Sequence, residues 1–383
     1  MSTAAARLPA HPARTRPVVV SRPPGYAVLI GVVAVLNLIG LVMVLSASSV
    51  ASLTSYGSPW HFFVRHLVWT GLGVIAFIVA LRLDYRFWRR AVVPLLVISI
   101  ALLVLVLVPG IGINVAGARR WLGSPGWRFQ PTEIAKLAVL VFTADLVARR
   151  SGQVSNWRRV LRPALFVLGV FALLVVAQPD LDSTVVLALI VGVVLLVGGI
   201  PLRYLAGVGA AGAVTVATLA LAAPYRRVRV FTFLDPWGDA SNTGYQISQS
   251  LIALGSGGWT GVGLGAGRAK WLFLPNAHTD FIFAIIGEEL GLFGCLVVVL
   301  LFVTFAVMGA RTALRAPDRF GTLLAAGLTA WVVGQAAMNI AAVVGLLPVS
   351  GIPLPFVSFG GTALVLSMTA AGILANVARQ ARA

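Results

Sequence analysis

The stretch "LPNAHTDFIF", residues 274–283, sets His278, Thr279 and Asp280 against Phe281, Ile282 and Phe283, where an apolar run begins. A carboxylate at that boundary admits three readings. It caps a helix starting at Phe281 by accepting backbone N–H bonds, or it pairs with a nearby arginine. Or it serves as a general base, since desolvation makes a carboxylate more basic. Glu288 and Glu289 follow two turns further in and suggest a polar cavity leading into the protein. His278 and Asp280 offer two metal donors, but nothing near them has the spacing of a protein-built zinc site.

Other groups add to this chemistry. "QPTEIAKLA" puts Glu133 and Lys136 three residues apart on one helix face. They are either a mutual ion pair or part of the lining of the same cavity. "GARRW" groups Arg119, Arg120 and Trp121, and "YRRVRV" groups Arg226, Arg227 and Arg229. Such clusters anchor at headgroup level or clamp phosphate, because the guanidinium fork matches phosphate oxygens. "GVGLGAG" (261–267) follows no predicted strand, so it is no dinucleotide signature; a hinge or close backbone packing is the reading. Ser250 and Ser256 lack a nucleophile-elbow context. The single Cys295 excludes an intrachain disulfide framework and reads as a small buried residue.

These residues need elements to hold them, and composition says which. The chain has 383 residues, 59% hydrophobic and 10% charged, with a mean hydropathy of +0.97. That is too little polar surface to cover a soluble globule. Apolar runs recur near 26–48, 66–81, 91–108, 131–148, 163–178, 183–200, 203–223, 281–308, 321–346 and 358–378. Each approaches the ~20 residues that cross ~30 Å of hydrocarbon. The expectation is an all-α polytopic membrane protein of about ten transmembrane helices. A large extracellular loop, 224–280, joins spans seven and eight. The first apolar run is too long for a signal peptide and is read as a retained span.

A net charge of +18 invites a nucleic-acid partner until the charges are mapped. With the N-terminus in the cytoplasm, 19 of the 29 basic residues fall in inner segments, the positive-inside bias of a membrane protein. No nucleic-acid partner is expected. The acids run the other way: only Asp84 and Asp318 lie in inner loops, while Asp180, Asp182, Asp235, Asp239 and Asp280 lie outside. Polar chemistry is thus expected on the outer side. There, "YQISQSLIAL" reads as a helix on the membrane surface. The proline- and glycine-rich 345–362 reads as a re-entrant segment, tolerated only where protein or a cavity surrounds it. Residues 1–24 read as a flexible basic cytoplasmic tail, and 379–383 as a cytoplasmic C-terminus.

Taken together, these segments resemble the SEDS glycosyltransferases of bacterial cell division and elongation, the family of FtsW and RodA. The resemblance rests on "GARRW" with "FQPTEIAKLA", "QPDLDSTVV", "FLDPWGDASNTGYQISQSLIALGSGGWTGVGLG", "LPNAHTDFIFAIIGEELGLFG" and "GLLPVSGIPLPFVSFGGT". These occur in family order across a transmembrane domain of residues 25–378. "LVMVLSASSV" is more similar to FtsW than to RodA. The resemblance implies polymerisation of lipid II into glycan strands at the outer face of the cytoplasmic membrane. It also implies a class B penicillin-binding protein as partner, among other division proteins and membrane lipids.

It further implies that the essential carboxylate is Asp280. Arg120 and Trp121 match the family's "RW", and Glu133 and Lys136 match its "QP-x-E-x-x-K". Asn276 stands where the family usually has Glu, and Asp182 where "QPDLG" has Gly. The chemistry needs a base for the acceptor sugar's 4-hydroxyl and cations for a polyprenyl pyrophosphate leaving group, supplied by fixed arginines or by Mg²⁺ or Mn²⁺. Asp280 is expected as the base. Arg120, Trp121, Glu133, Lys136, Arg226, Arg227, His278 and Thr279 are expected around the substrate and its pyrophosphate, with no tightly bound cofactor. Two alternatives stand beside this: a lipid II transporter (flippase), which broken spans and intramembrane charges also suit, and a non-catalytic division scaffold recruiting a transpeptidase.

Overall fold

A computed structural model of the chain describes residues 24–115, 117–124, 127–153, 157–222 and 224–381. The expected tail, apart from Pro24, and the side chain of Arg226 lie outside the described residues. The first helices are α1 (Pro24–Tyr56), α2 (His61–Arg82), α3 (Arg86–Arg90), α4 (Val92–Leu107) and α5 (Pro131–Arg149). Then come α6 (Trp157–Val176), α7 (Leu181–Val197), α8 (Leu202–Ala222), α9 (Pro224–Leu234) and α10 (Tyr245–Ser256). The chain ends with α11 (Ile282–Arg315), α12 (Arg319–Val343) and α13 (Thr362–Gln380).

Every expected span falls on a helix. α1, α2, α6, α8, α11, α12 and α13 are long and apolar enough to cross a membrane, and α4 and α7 are shorter apolar helices. α5 differs because it carries Glu133, Lys136, Asp145 and Arg149, and it sits at the centre of the bundle with most of its side chains buried. α8 is the opposite case, with no buried residue in its apolar window.

One departure from the all-α expectation lies in 109–130. Strands β1 (Ile113–Val115), β2 (Ala118–Gly123) and β3 (Arg128–Phe129) form an antiparallel sheet in that order. Val115 pairs with Ala118, and Gly117 just before Ala118 sits at φ +81°, a left-handed conformation that glycine adopts without steric cost. Strands of three and two residues are too short to show a period, so the sheet is silent in the sequence.

A second departure is a break inside α11. Gly291 sits at φ +65°, ψ −164°, a region open essentially to glycine alone. The break frees backbone groups, and the glycine-rich segment after α10 takes them up. Val262 and Gly263 donate N–H bonds to the carbonyls of Glu288 and Glu289, at 3.0 and 3.1 Å. Leu292 and Phe293 donate to Gly258 and Trp259. A Cβ at Gly291 would lie 2.3 Å from the nitrogen of Gly261. "GVGLGAG" is therefore a close-packed backbone patch, not a hinge.

The 345–361 segment has almost no regular structure and is buried at Ile352, Leu354, Phe356 and Val357, as a re-entrant segment enclosed by protein should be. α10 departs from its expected place on the membrane surface. It packs on the bundle through Ile247, Ser248, Ser250 and Ala253, and Ser250 Oγ donates to the carbonyl of Val343 at 2.8 Å. The sheet, the 224–281 region and the 345–361 segment share one end of the bundle, called the loop end below.

Candidate active site

α12 organises the loop end through two buried amides one turn apart. Gln335 accepts from Lys136 Nζ at 2.8 Å and from Trp331 Nε1 at 3.1 Å, and donates to the carbonyl of Pro353 at 3.1 Å. Asn339 Nδ2 donates to the carbonyl of Ile352 and to that of Asp280, each at 2.8 Å. The same face of α12 thus holds the α5 lysine, the re-entrant segment and the peptide of Asp280.

Glu133 and Lys136 form an ion pair at 2.8 Å with side chains 3% and 2% exposed, and Lys136 Nζ lies 5.3 Å from the ring centroid of Trp331. Of the two sequence readings, the geometry is that of a mutual pair sealed between α5 and α12. A buried pair of this kind fixes register, because removing either member strands a charge in a dry interior.

Asp280 occupies the last turn before α11. The helix begins at Ile282 and its cap position is Phe281, so Asp280 stands one residue before the cap. The turn is built by Asn276, whose φ of +56° places it in the left-handed region that asparagine tolerates better than most residues. The Asn276 carbonyl accepts from the N–H and Oγ1 of Thr279, both at 3.1 Å. This gives the unusual Asn276 a structural reason. His278 packs between Phe62 and Phe359, at centroid distances of 4.7 and 5.6 Å, and its carbonyl accepts from Phe359 N–H at 3.0 Å. Burial holds the His278 imidazole down at about 4, so the ring is neutral near pH 7 and brings no positive charge to a pyrophosphate.

Glu288 and Glu289 do not line an inward cavity, as the sequence suggested. Glu288 accepts the N–H groups of Arg268 and Ala269. Glu289 pairs with Lys270 at 3.0 Å, both side chains at most 5% exposed, and accepts from Ser46 of α1 at 2.7 Å. Together they strap the segment before Asp280 to α1 and α11.

Arg120, on β2 beside Trp121, donates to the carbonyls of Gln178 and Pro179 and lies 3.9 Å from Asp180. Its side chain is 22% exposed. Asp180 is the N-cap of α7, accepting from the N–H and Oγ of Ser183. Asp182, for which the sequence offered no role, accepts from Gly351 N–H at 3.3 Å. Arg120 is thus joined to the re-entrant segment through the start of α7, and through Asn339 to Asp280. Arg227 is exposed on α9, which faces α10, Leu347 and Val349 across a cavity of about 130 Å³. The structure therefore gathers Asp280, Thr279, His278 and, through α12, Glu133 and Lys136. It holds Arg120 and Trp121 on β2, with Arg120 against the start of α7, and Arg227 on α9.

Sequence reasoning missed Gln335, Asn339, Ser46 and Lys270. A signal existed for three of them. Gln335 and Asn339 are polar residues four apart inside an apolar span, and Lys270 is one of only two lysines in the chain, both paired with glutamate.

No group of three or more His, Cys, Asp or Glu is placed to hold a metal ion among the described residues.

Comparison with known proteins follows the same outline. A family model described as cell cycle protein, FtsW/RodA/SpoVE, matches residues 26–383. The chain is 45% identical to the probable peptidoglycan glycosyltransferase FtsW of Mycobacterium tuberculosis, over 92% of this chain and 68% of that protein. It is 38% identical to the FtsW of a Geobacter species, over 94% and 98% of the two chains. A chain of a peptidoglycan synthase complex that coordinates polymerization and crosslinking superposes with a TM-score of 0.74 at 30% identity, covering 92% of this chain and 96% of that one.

Proposed function

We propose, for a chain that belongs to the FtsW/RodA/SpoVE family of cell cycle proteins, that it is a peptidoglycan glycosyltransferase acting in cell division. It polymerises lipid II at the outer face of the cytoplasmic membrane, with the loop end outward and both termini in the cytoplasm. Its partner is a class B penicillin-binding protein, which crosslinks the strands it makes.

One observation carries the assignment of Asp280 as general base. It stands partly exposed at the loop end, on the turn that leads into α11, and Asn339 clamps its peptide carbonyl. A carboxylate held in place where the apolar span begins is positioned to meet the sugar of a lipid-anchored substrate. In the reaction it takes the proton of the acceptor 4-hydroxyl as that oxygen attacks the donor's anomeric carbon. The polyprenyl pyrophosphate leaves with its electron pair. Arg120, Arg226, Arg227 and Lys136 contribute to meeting that charge, and a divalent cation, where one takes part, arrives with the pyrophosphate oxygens.

The test is polymerisation of lipid II by purified protein together with its penicillin-binding partner. A general base contributes ~10²–10⁴ in rate, so Asp280→Ala and Asp280→Asn lose polymer while unfolding at the wild-type temperature. A near-wild-type rate in either variant defeats the assignment. Restoration of division by Asp280→Ala in cells would favour the scaffold instead.

A further inference from the structure

A cleft of about 500 Å³ opens where α5 ends and α6 begins, lined by Arg150, Arg158, Arg159, Arg162 and Pro163. It lies at the end of the bundle opposite Asp280, which the charge bias places in the cytoplasm. The Arg150 guanidinium donates to the carbonyl of Arg159, tying the two sides of the cleft together. Four arginines line this one open concavity, an arrangement of positive charge suited to an anionic headgroup.

A second cavity, of about 710 Å³, runs between α6, α7 and α8 and is lined almost wholly by apolar side chains. Both are lined from one face of α6. Arg158 and Arg162 line the cleft, and Leu165, Gly169, Ala172 and Val176 line the groove. Those positions follow one another at alternating spacings of four and three, a single stripe along α6. Beside the stripe, Phe166 and Leu173 are 71% and 72% exposed, so this face of α6 borders lipid. The groove also separates α8 from its neighbours, which explains why α8 buries nothing.

From this juxtaposition we infer that cleft and groove together form a site for an anionic phospholipid of the inner leaflet. The phosphate sits among Arg150, Arg158, Arg159 and Arg162, and an acyl chain lies against Gly169 and Ala172. The occupant fills the gap between α6 and α8 and sets the position of α8. Charge complementarity selects the headgroup, and the bordering bilayer supplies an amphiphile over a soluble anion. The inference is independent of the reaction at the loop end.

The experiment uses full-length protein in neutral detergent micelles, titrated with phosphatidylglycerol. The unfolding midpoint is followed by thiol labelling of the buried Cys295. The wild type gains a saturable rise in midpoint. Arg158→Gln with Arg162→Gln requires roughly thirtyfold more lipid for the same rise. Arg82→Gln with Arg379→Gln, which removes the same charge from exposed cytoplasmic positions, titrates like the wild type.

Gly169→Leu fills the groove where a side chain meets nothing within 4 Å. It weakens the response to long-chain lipid without lowering the lipid-free midpoint. An equal loss in the Arg82/Arg379 variant overturns the site in favour of diffuse surface charge. Equal stabilisation by inorganic phosphate alone overturns the lipid assignment. Displacement of phosphatidylglycerol by a lower mole fraction of polyprenyl phosphate reassigns the cleft to a prenyl carrier. An unchanged titration in Gly169→Leu removes the acyl chain from the groove.

Discussion

Replacing Lys136 by Met tests whether the Glu133–Lys136 pair is structure or substrate site. At 2.8 Å, two unit charges attract with about 6 kcal/mol at an effective dielectric constant of 20. Desolvation of both ions offsets much of that gain. The single substitution removes the attraction and leaves the desolvated Glu133, at a cost of about 3–5 kcal/mol. It also frees Gln335, whose carbonyl oxygen loses its lysine donor. The unfolding midpoint, read by labelling of Cys295, is expected to fall by on the order of 5–10 °C. Glu133→Gln with Lys136→Met carries no buried charge and is expected to recover most of that loss. Polymerisation measured beside stability completes the cycle. A structural pair predicts that activity returns with stability in the double variant. If Lys136→Met unfolds at the wild-type temperature yet makes no polymer, the lysine contacts substrate, and the clamp described here is wrong.

Other substitutions test the segments that hold Asp280. Gly291→Ala forces alanine into a glycine-only conformation and onto Gly261, so it should cost at least about 1–3 kcal/mol, visible as a lowered midpoint. Asn276→Val puts a β-branched residue at φ +56° and is expected to lower kcat by displacing the Asp280 turn, whereas Asn276→Gly keeps the rate. The depressed His278 value sets a pH dependence. Between about pH 6.5 and 4 the unfolded imidazole holds a proton that the folded one does not, so stability falls with pH through that window by up to about 3 kcal/mol. A thermal scan from pH 7 to 4 shows it, and His278→Phe makes the fall shallower. Removing divalent cations with EDTA is expected to leave the unfolding midpoint unchanged. Loss of polymerisation on the same treatment, restored by Mg²⁺ or Mn²⁺, assigns the ion to the substrate.

The helices were legible because membrane spans announce themselves by length and composition, and those expected here each coincide with a helix. Asp280 stood out as a candidate because an acid at the edge of an apolar run is costly unless used. What stayed hidden depends on partners distant in the chain. Glu288 and Glu289 looked like a cavity lining until Arg268, Ala269, Lys270 and Ser46 were seen to spend them. Gly291 looked like any glycine in a long apolar run, since only the approach of Gly258–Gly263 reveals the break. Asp182 had no reading because its partner, Gly351, lies 169 residues away.

These hidden partners share one effect on the proposed base. A general base must reach its proton within hydrogen-bond distance, and a displacement of about 1 Å costs on the order of 10² in rate. A carboxylate on an ordinary loop would not be held to that tolerance. Here the turn is fixed from three directions: Asn339 grips the Asp280 carbonyl, Phe359 N–H grips that of His278, and the Glu288–Glu289 strap anchors the chain before it. Two of these grips come from α12 and the re-entrant segment, which Gln335 also joins to Lys136. Glu133 and Lys136 are thereby tied to the Asp280 turn through α12 and the re-entrant segment. A substitution there changes the rate by moving the turn, and its effect should vanish in any variant that has already released Asp280 from Asn339.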